Sequence, residues 1–307
     1  MKLKHYGQYK CQKLLNNGGF GRVYEMMDTK SEQKYAFKVI QSSFLTNAIK
    51  NEHHALKVFK DNPNFLSSYG GAQYKNEFIF KFALANGGNL KQYIQAKGVL
   101  SEKNAKKMLM QLLQQIKIAH KNSIIHNDIK PENIVLDDGN YYLIDWSSSL
   151  TEQSDYYEMV STDYLFMTPE HYNKQVRFST DIYMLGHVLY YVLHGKLLFG
   201  LYSEMFESQM MQAHLSKVPQ YDSKISMPMQ NLLNGMLCKI PSKRISLEEI
   251  QNFLKTDTLT KNYAIEPLNE PLTVLDDEHT YRFYAKQNIT IALFRYAIEL
   301  ENKDEYE

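Results

Sequence analysis

The sequence predicts an α+β fold of two lobes, a small strand-rich lobe followed by a larger helical one. Two observations carry this. Apolar residues alternate with a period of two through most of residues 8–85, then recur at helical spacing through most of 89–256. Between the two regimes lies ANGGNL, a turn-rich stretch that reads as a linker near residues 83–89. At 307 residues and 44% hydrophobic content, the chain is long enough for two lobes with separate cores.

The elements follow in order. QYKCQKLL, RVYEMM and KYAFKVI read as strands, the first two joined by the turn NNGGFG. Ile49, Ala55, Leu56 and Phe59 have helical spacing over residues 46–60. Strand-like runs return over 64–85 and end at FIFKFAL. Helices are predicted at 89–96 and 101–121, the second starting at Ser101 and Asn104 without the Glu or Gln of a full capping box. Short strands around 133–144 flank the turn DDGN, and residues 178–256 read as helices.

The formal net charge of +1 gives no argument for nucleic acid or a membrane surface, and neither is expected as a partner. Residues 257–307 carry 11 acidic and 5 basic side chains, a net of −6, which leaves residues 1–256 at +7. Cys11 and Cys238 form no pattern, as expected in a reducing compartment. The start MKLKHYGQYK lacks the apolar run of a signal peptide, and VLYYVL at 188–193 is too short to span a bilayer. The expected location is intracellular, in the cytoplasm, with the nucleus left open.

Three features point to phosphate chemistry. Gly18, Gly19 and Gly21 form a turn in which backbone N–H groups can approach phosphate oxygens without a Cβ in the way, although such a turn alone is most often only a hairpin. Lys38 follows on the next strand, and Glu52 on the predicted helix can pair with it. Further on, HNDIKPENIVLDDGNYYLIDWS places Asp128 and Asn133 five positions apart, with Asp145 at a strand end.

Taken together, residues 8–256 resemble the eukaryotic protein kinases, in order and in spacing. NNGGFGRV matches the glycine-rich loop, with Asn16 for the first Gly; YAFK the strand Lys; HNDIKPEN the catalytic loop; DWS the metal-binding Asp motif; TPE the end of the activation segment; and PSKRIS the late Arg. The resemblance implies a bilobal fold with an N-lobe over about 1–84, a C-lobe over about 85–256, and an acidic extension over 257–307. It implies ATP as co-substrate, Mg²⁺ or Mn²⁺ as cofactor and a protein substrate. Asp128 would accept or orient the hydroxyl proton, and Lys130 would reach the transferred phosphate, a Lys found in Ser/Thr kinases. Lys38, fixed by Glu52, would hold the α- and β-phosphates, while Asn133 and Asp145 would hold metal ions. Asn16, Gly18, Gly19, Gly21, Val23, Ala36 and Val135 would surround the nucleotide. Phe82 falls at the back-pocket gate, and Ala83, Leu84 and Ala85 lie in the hinge that runs to Asn86. The resemblance also implies a column of His126, Trp146 and Leu56, an Asp181 that accepts catalytic-loop N–H groups, and a Glu170–Arg244 ion pair.

The departures fall beside the chemistry. Asn127 replaces the catalytic-loop Arg that often binds a phosphate on the activation segment, so activation independent of that phosphorylation is expected. Residues 146–169 contain no Lys or Arg but do contain Glu152, Asp155, Glu158 and Asp163, carboxylates that either stand in for phosphate or keep a loop solvated. Trp146 stands for Phe. Ser147 stands for Gly, which restricts the backbone next to Asp145. The segment STDYLFM matches only if Thr162 follows an insertion. Two readings stay open: an active Ser/Thr kinase, or a catalytically weak pseudokinase acting as scaffold or allosteric regulator. Glu132 sits where basophilic kinases contact an Arg, which hints at basic residues near the target. In the extension, a helix is predicted at about 280–301 and is expected to dock on the kinase domain or on a partner.

Overall fold

Strand pairing in the N-terminal lobe follows directly from the alternation in the sequence. The computed structural model describes residues 5–18, 21–41, 46–150, 163–172, 176–202 and 205–268. Strands β1 (His5–Tyr6), β2 (Tyr9–Gly18), β3 (Gly21–Asp28), β4 (Lys34–Gln41), β5 (Ser68–Tyr74) and β6 (Glu77–Ala83) form an antiparallel sheet in the order β1-β2-β3-β4-β6-β5. The register sets Asn16 opposite Val23, Val23 opposite Lys38, Lys38 opposite Phe80 and Ala36 opposite Phe82. With a side-chain period of two, these residues share one face. Tyr24, Met26, Tyr35, Phe37, Val39 and Ile79 pack together on the other, with Tyr6 and Cys11.

Gly21 is required where it stands. Its φ is +145°, and a Cβ there would collide with the Val39 carbonyl. Helix α1 (Thr46–Val58) crosses the lobe with Ala48, Glu52 and Ala55 fully buried. Glu52 thus occupies the apolar stripe that the spacing predicts, in line with Ala48 and Ala55 one turn to either side. Ile49, expected in that stripe, is only partly buried.

The link to the second lobe is pinned by backbone bonds. The Gly87 N–H donates to the Leu136 carbonyl at 2.8 Å, and the Leu136 N–H to Gly88 at 2.9 Å. A Cβ on Gly87 would lie 2.8 Å from that of Leu136, so glycine permits the approach. Helix α2 (Leu90–Lys97) then starts at Asn89, which forms a capping box with Gln92. Helix α3 (Glu102–Lys121) starts at Ser101, whose hydroxyl accepts from the Asn104 N–H. Strands β7 (Ile134–Asp137) and β8 (Asn140–Leu143) pair across Asp138–Gly139, both at positive φ, as a two-residue hairpin turn requires.

Helices α4 (Pro169–Tyr172), α5 (Phe178–His194), α6 (Glu207–Ser216), α7 (Met227–Met236) and α8 (Leu247–Thr256) complete the lobe. Its core joins Met108, Leu112 and Ile116 of α3 to Leu185, Val188 and Leu189 of α5, and to Met229, Leu233 and Ile250. Every residue of α5 from Thr180 to Leu193 is buried, so its aromatic run is core.

One boundary differs from expectation. The first unit extends to Pro267 rather than ending near 256. Tyr263 and Ile265 join the core, the Tyr263 hydroxyl donates to Glu249 at 2.8 Å, and its N–H donates to Asn231 at 2.6 Å. Two apolar side chains in an otherwise polar stretch provide the burial that holds it. The chain divides after Pro267, and in the second unit, Leu268–Glu307, the helix expected at 280–301 lies outside the described residues.

Candidate active site

The catalytic-loop stretch is held from below by one buried carboxylate. Asp181, near the start of α5, accepts the His126 and Asn127 N–H groups at 2.9 Å each, and His120 Nε2 lies 2.8 Å from it. Burial pushes Asp181 upward, but His120 and these donors hold its pKa below the usual carboxylate range. The His126 ring lies 4.4 Å from Trp146 at a tilt of 53°, donates from Nε2 to the Ile144 carbonyl and accepts the Asp128 N–H at Nδ1. Both nitrogens are engaged inside the fold, so His126 is a packed histidine.

Asp128 faces this loop's own polar groups. The Asn133 amide donates to its Oδ2 at 2.7 Å and to its backbone carbonyl at 2.9 Å, while Lys130 Nζ lies 3.1 Å from Oδ1. Burial raises the Asp128 pKa to about 7; Lys130 pulls it down and the Asp145 charge pushes it up. Burial acts against the Lys130 charge, but Asp128 and Asp163 more than offset this and its pKa is raised. Asp163 of the acidic segment reaches within 3.8 Å of Lys130. Glu152, Asp155, Glu158 and Thr162 lie outside the described residues.

The second half of the site meets at Lys38. Its ammonium lies 2.7 Å from Glu52 Oε2, 2.7 Å from Asp145 Oδ1 and 2.6 Å from the Ser147 hydroxyl. The Ser147 hydroxyl donates onward to Glu52 Oε2 at 3.0 Å, and Asn51 donates to the Ser147 carbonyl. Three acceptors use the three ammonium protons. Burial works against the Lys38 charge, yet Asp145 and Glu52 raise its pKa. One cation serves two carboxylates: burial pushes Glu52 up, while Lys38 overcomes burial and holds Asp145 down. Asp145 sits in the left-handed region at φ 66°, ψ 74°, a strained setting for a residue with a Cβ.

Asn133 spends its amide protons on Asp128, so its side-chain carbonyl oxygen and Asp145 Oδ2 could accept a cation. Among the described residues no group of three or more His, Cys, Asp or Glu side chains could cage a metal. Mg²⁺ does not need such a cage, since one or two protein oxygens suffice where phosphates and waters supply the rest. The donor set therefore fits Mg²⁺ or Mn²⁺.

The positions expected to surround a nucleotide lie as follows. Val23, Ala36 and Val135 are each half-buried, and Phe82 lies beside Ala36. The hinge spends the Ala83 N–H on Ser67, the Asn86 N–H on Asp137 and the Gly87 N–H on Leu136, and the N–H groups of Leu84 and Ala85 take no part in these bonds. Gly18 pairs with Gly21 at the tip of the hairpin, and Gly19 lies outside the described residues. A separate cavity of about 830 Å³ adjoins Glu52 and Asp145 and is lined by Leu56, Phe80, Phe82 and Trp146. Ala83 also lines it, while Val23, Ala36 and Val135 do not.

Other residues entered the site unforeseen. Phe59 and Phe65 stack at 4.0 Å and pack on Trp146, extending the column named from His126, Trp146 and Leu56. Ser147 had been read as a backbone restriction, and its hydroxyl joins the Lys38 cluster instead. The aromatic Phe-x₅-Phe spacing before β5 was the visible signal for the first; for the second, only the fold could show it. The Glu170–Arg244 pair forms as expected, bidentate at 2.6 and 2.9 Å. Glu132 pairs with Lys91 of α2 at 2.6 Å, a neighbour that its proposed role had not included.

A family model described as "Protein kinase domain" matches residues 9–254. Relatives include the sperm motility kinase Tcr mutant form of Mus musculus, 28% identical over 80% of this chain and 51% of its own length. The serine/threonine-protein kinase PrkC of Bacillus subtilis is 26% identical over 89% and 43%. Protein kinase kin1 of Schizosaccharomyces pombe is 26% identical over 90% and 34%. The chain thus spans about half or less of the length of the relatives it matches.

Proposed function

Because the chain belongs to the protein kinase domain family, we propose that it is a protein serine/threonine kinase acting without phosphorylation of its own activation segment. It would transfer the γ-phosphate of ATP to a protein hydroxyl. The observation that carries this is the assembled cluster in which Lys38 meets Glu52 and Asp145 at 2.7 Å each. Lys38 and Glu52 are buried and Asp145 is partly exposed at the cleft, so two carboxylates share one ammonium, an arrangement costly to desolvate that a phosphate-binding Lys makes use of.

The substrate oxygen attacks the γ-phosphorus, the bond from that phosphorus to the ADP oxygen breaks, and the hydroxyl proton passes to Asp128. Lys130 neutralises charge on the phosphate in flight. Lys38 exchanges part of its present contacts for phosphate oxygens. Asn133 and Asp145 would hold a divalent cation such as Mg²⁺, which would supply neutralisation of the phosphate charge. Independence from phosphorylation is supported by Asn127, a neutral side chain where a phosphate-binding Arg is usual. Lys91 occupies one oxygen of Glu132, so an upstream Arg in a substrate competes with it for that carboxylate. We place the protein inside the cell, where ATP is supplied and the buried thiols of Cys11 and Cys238 stay reduced. Among the described residues no helix is long and apolar enough to cross a membrane.

The test is transfer from γ-labelled ATP to a library of Ser- and Thr-containing peptides, with thermal shifts by ATP measured with and without Mg²⁺. Wild type should phosphorylate peptides, and Asp128→Asn should be slower by roughly 10²–10⁴-fold with its Mg²⁺-dependent shift intact. Equal rates would reject catalysis by Asp128. A nucleotide shift with no transfer would favour the scaffolding pseudokinase. Absence of any preference for upstream Arg or Lys would remove the basic-substrate expectation.

A further inference from the structure

The residue that stands in place of the catalytic-loop Arg is not an empty position. Asn127 is fully buried and has φ 65°, a left-handed conformation that Asn tolerates better than most residues. Its amide reaches in two directions. Nδ2 donates to the Ser148 carbonyl at 3.2 Å, and Oδ1 lies 2.8 Å from His171 Nε2. Ser148 follows Asp145 closely at the start of the activation segment, and His171 lies at its end, next to Glu170.

The His171 tautomer is set by its other contacts. Nδ1 accepts the Thr168 N–H at 3.0 Å and lies 2.8 Å from the Thr168 hydroxyl, so the ring proton sits on Nε2 and is donated to Asn127. His171 is fully buried, and burial, with some opposition from Glu170, lowers its pKa to about 4. The ring is therefore neutral at ordinary pH, and no charge is stranded. Asn127 supplies a donor to one foot of the segment and an acceptor to the other, which Asp, Leu or Ala cannot do. Its own N–H is fixed to Asp181, so both feet are referred to the same buried anchor as the catalytic loop.

We propose that Asn127 and His171 are positioning residues, a neutral hydrogen-bonded clasp that holds both feet of the segment between Ser148 and His171 on the catalytic loop. The clasp does by amide and imidazole what an Arg–phosphate pair does elsewhere in the family, and so keeps the peptide-docking end of the segment in place without modification. Ser148 and His171 are thereby tied to the catalytic loop before any substrate arrives. The catalytic consequence rests on the kinase reading above; the clasp itself rests on geometry alone.

The experiment uses the full chain with Asn127→Ala, His171→Ala and the double variant. Amide hydrogen exchange over residues 163–172, melting temperature, and KM for ATP and for a peptide substrate are measured for each. Each single variant should lose exchange protection in 163–172 and raise the peptide KM about 5- to 30-fold, with ATP KM within about twofold. The double variant should be little worse than either single one, because partners in one bond are not additive. Unchanged exchange, additive single effects, or ATP and peptide KM rising together in step with the fall in melting temperature would overturn the clasp. Should wild type transfer no phosphate, the kinase reading fails, while exchange and its non-additivity still decide the clasp.

Discussion

Asp128 carries a consequence that can be read from its surroundings. A carboxyl raised to about 7 is protonated below that pH and cannot take a proton from the substrate. The kcat/KM profile should therefore fall toward acid with a limb near pH 7. Lys130 lowers that pKa, so Lys130→Met should move the limb to higher pH as well as slow the reaction; a limb that stays in place would show that another group titrates. That Lys38, Glu52 and Asp145 would come together, and Asp128, Lys130 and Asn133 likewise, was legible in the sequence through its resemblance to the protein kinases. The roles of Ser147 and His171 were not. Ser147 meets Glu52 across 95 residues of chain and Lys38 across 109, and His171 meets Asn127 across 44. No local period records such contacts. The substitutions at 127 and 147 read as losses until the fold supplied their partners.

At the scale of elements, the ends of α4 and α5 are tied by one buried pair. Arg244 donates twice to Glu170, once to the Ser179 carbonyl and once to the Cys238 carbonyl. The Thr180 hydroxyl also donates to Glu170. Burial pushes Glu170 up, but Arg244 holds its pKa at about 2. A depressed carboxylate contributes stability that is present above its unfolded pKa near 4.5 and is lost as pH falls toward 2. Arg244→Ala strands a buried carboxylate and should cost about 3–5 kcal/mol at neutral pH. The gap from wild type should narrow below about pH 4, where protonation relieves the variant first. Denaturant titrations at two pH values check this, and a gap constant with pH would mean that Glu170 is not the group left unpaired. Strands and helices were legible because each run of residues keeps its own period, two or about 3.6. Their register was not, and the register is what puts Asn16, Val23, Ala36, Lys38 and Phe82 on one face.

For the whole molecule, the boundary matters most. The composition shift near 256 suggested that the acidic stretch starts a new unit, yet charge balance does not report on burial. Tyr263 and Ile265 bury their side chains against the C-terminal lobe, and Asp257 pairs with Lys106 at 2.5 Å. A chain ending at Pro267 keeps these contacts and is the reference. One ending at Lys255 should lose roughly 3 kcal/mol or more, since two buried side chains go with it. Equal stability of the two truncations would show that residues 257–267 only lie on the surface.

A site assembled without phosphate is tested most directly by the turnover of phosphatase-treated full-length protein, with mass spectrometry confirming that no residue from 146 to 172 carries phosphate. Lys38, Glu52 and Asp145 are already in contact and both feet of the segment are already held. The dephosphorylated protein should therefore transfer phosphate to peptide at the rate of the untreated protein, and Asp128→Asn should not. An inactive dephosphorylated protein that regains activity on phosphorylation of the segment would contradict the account.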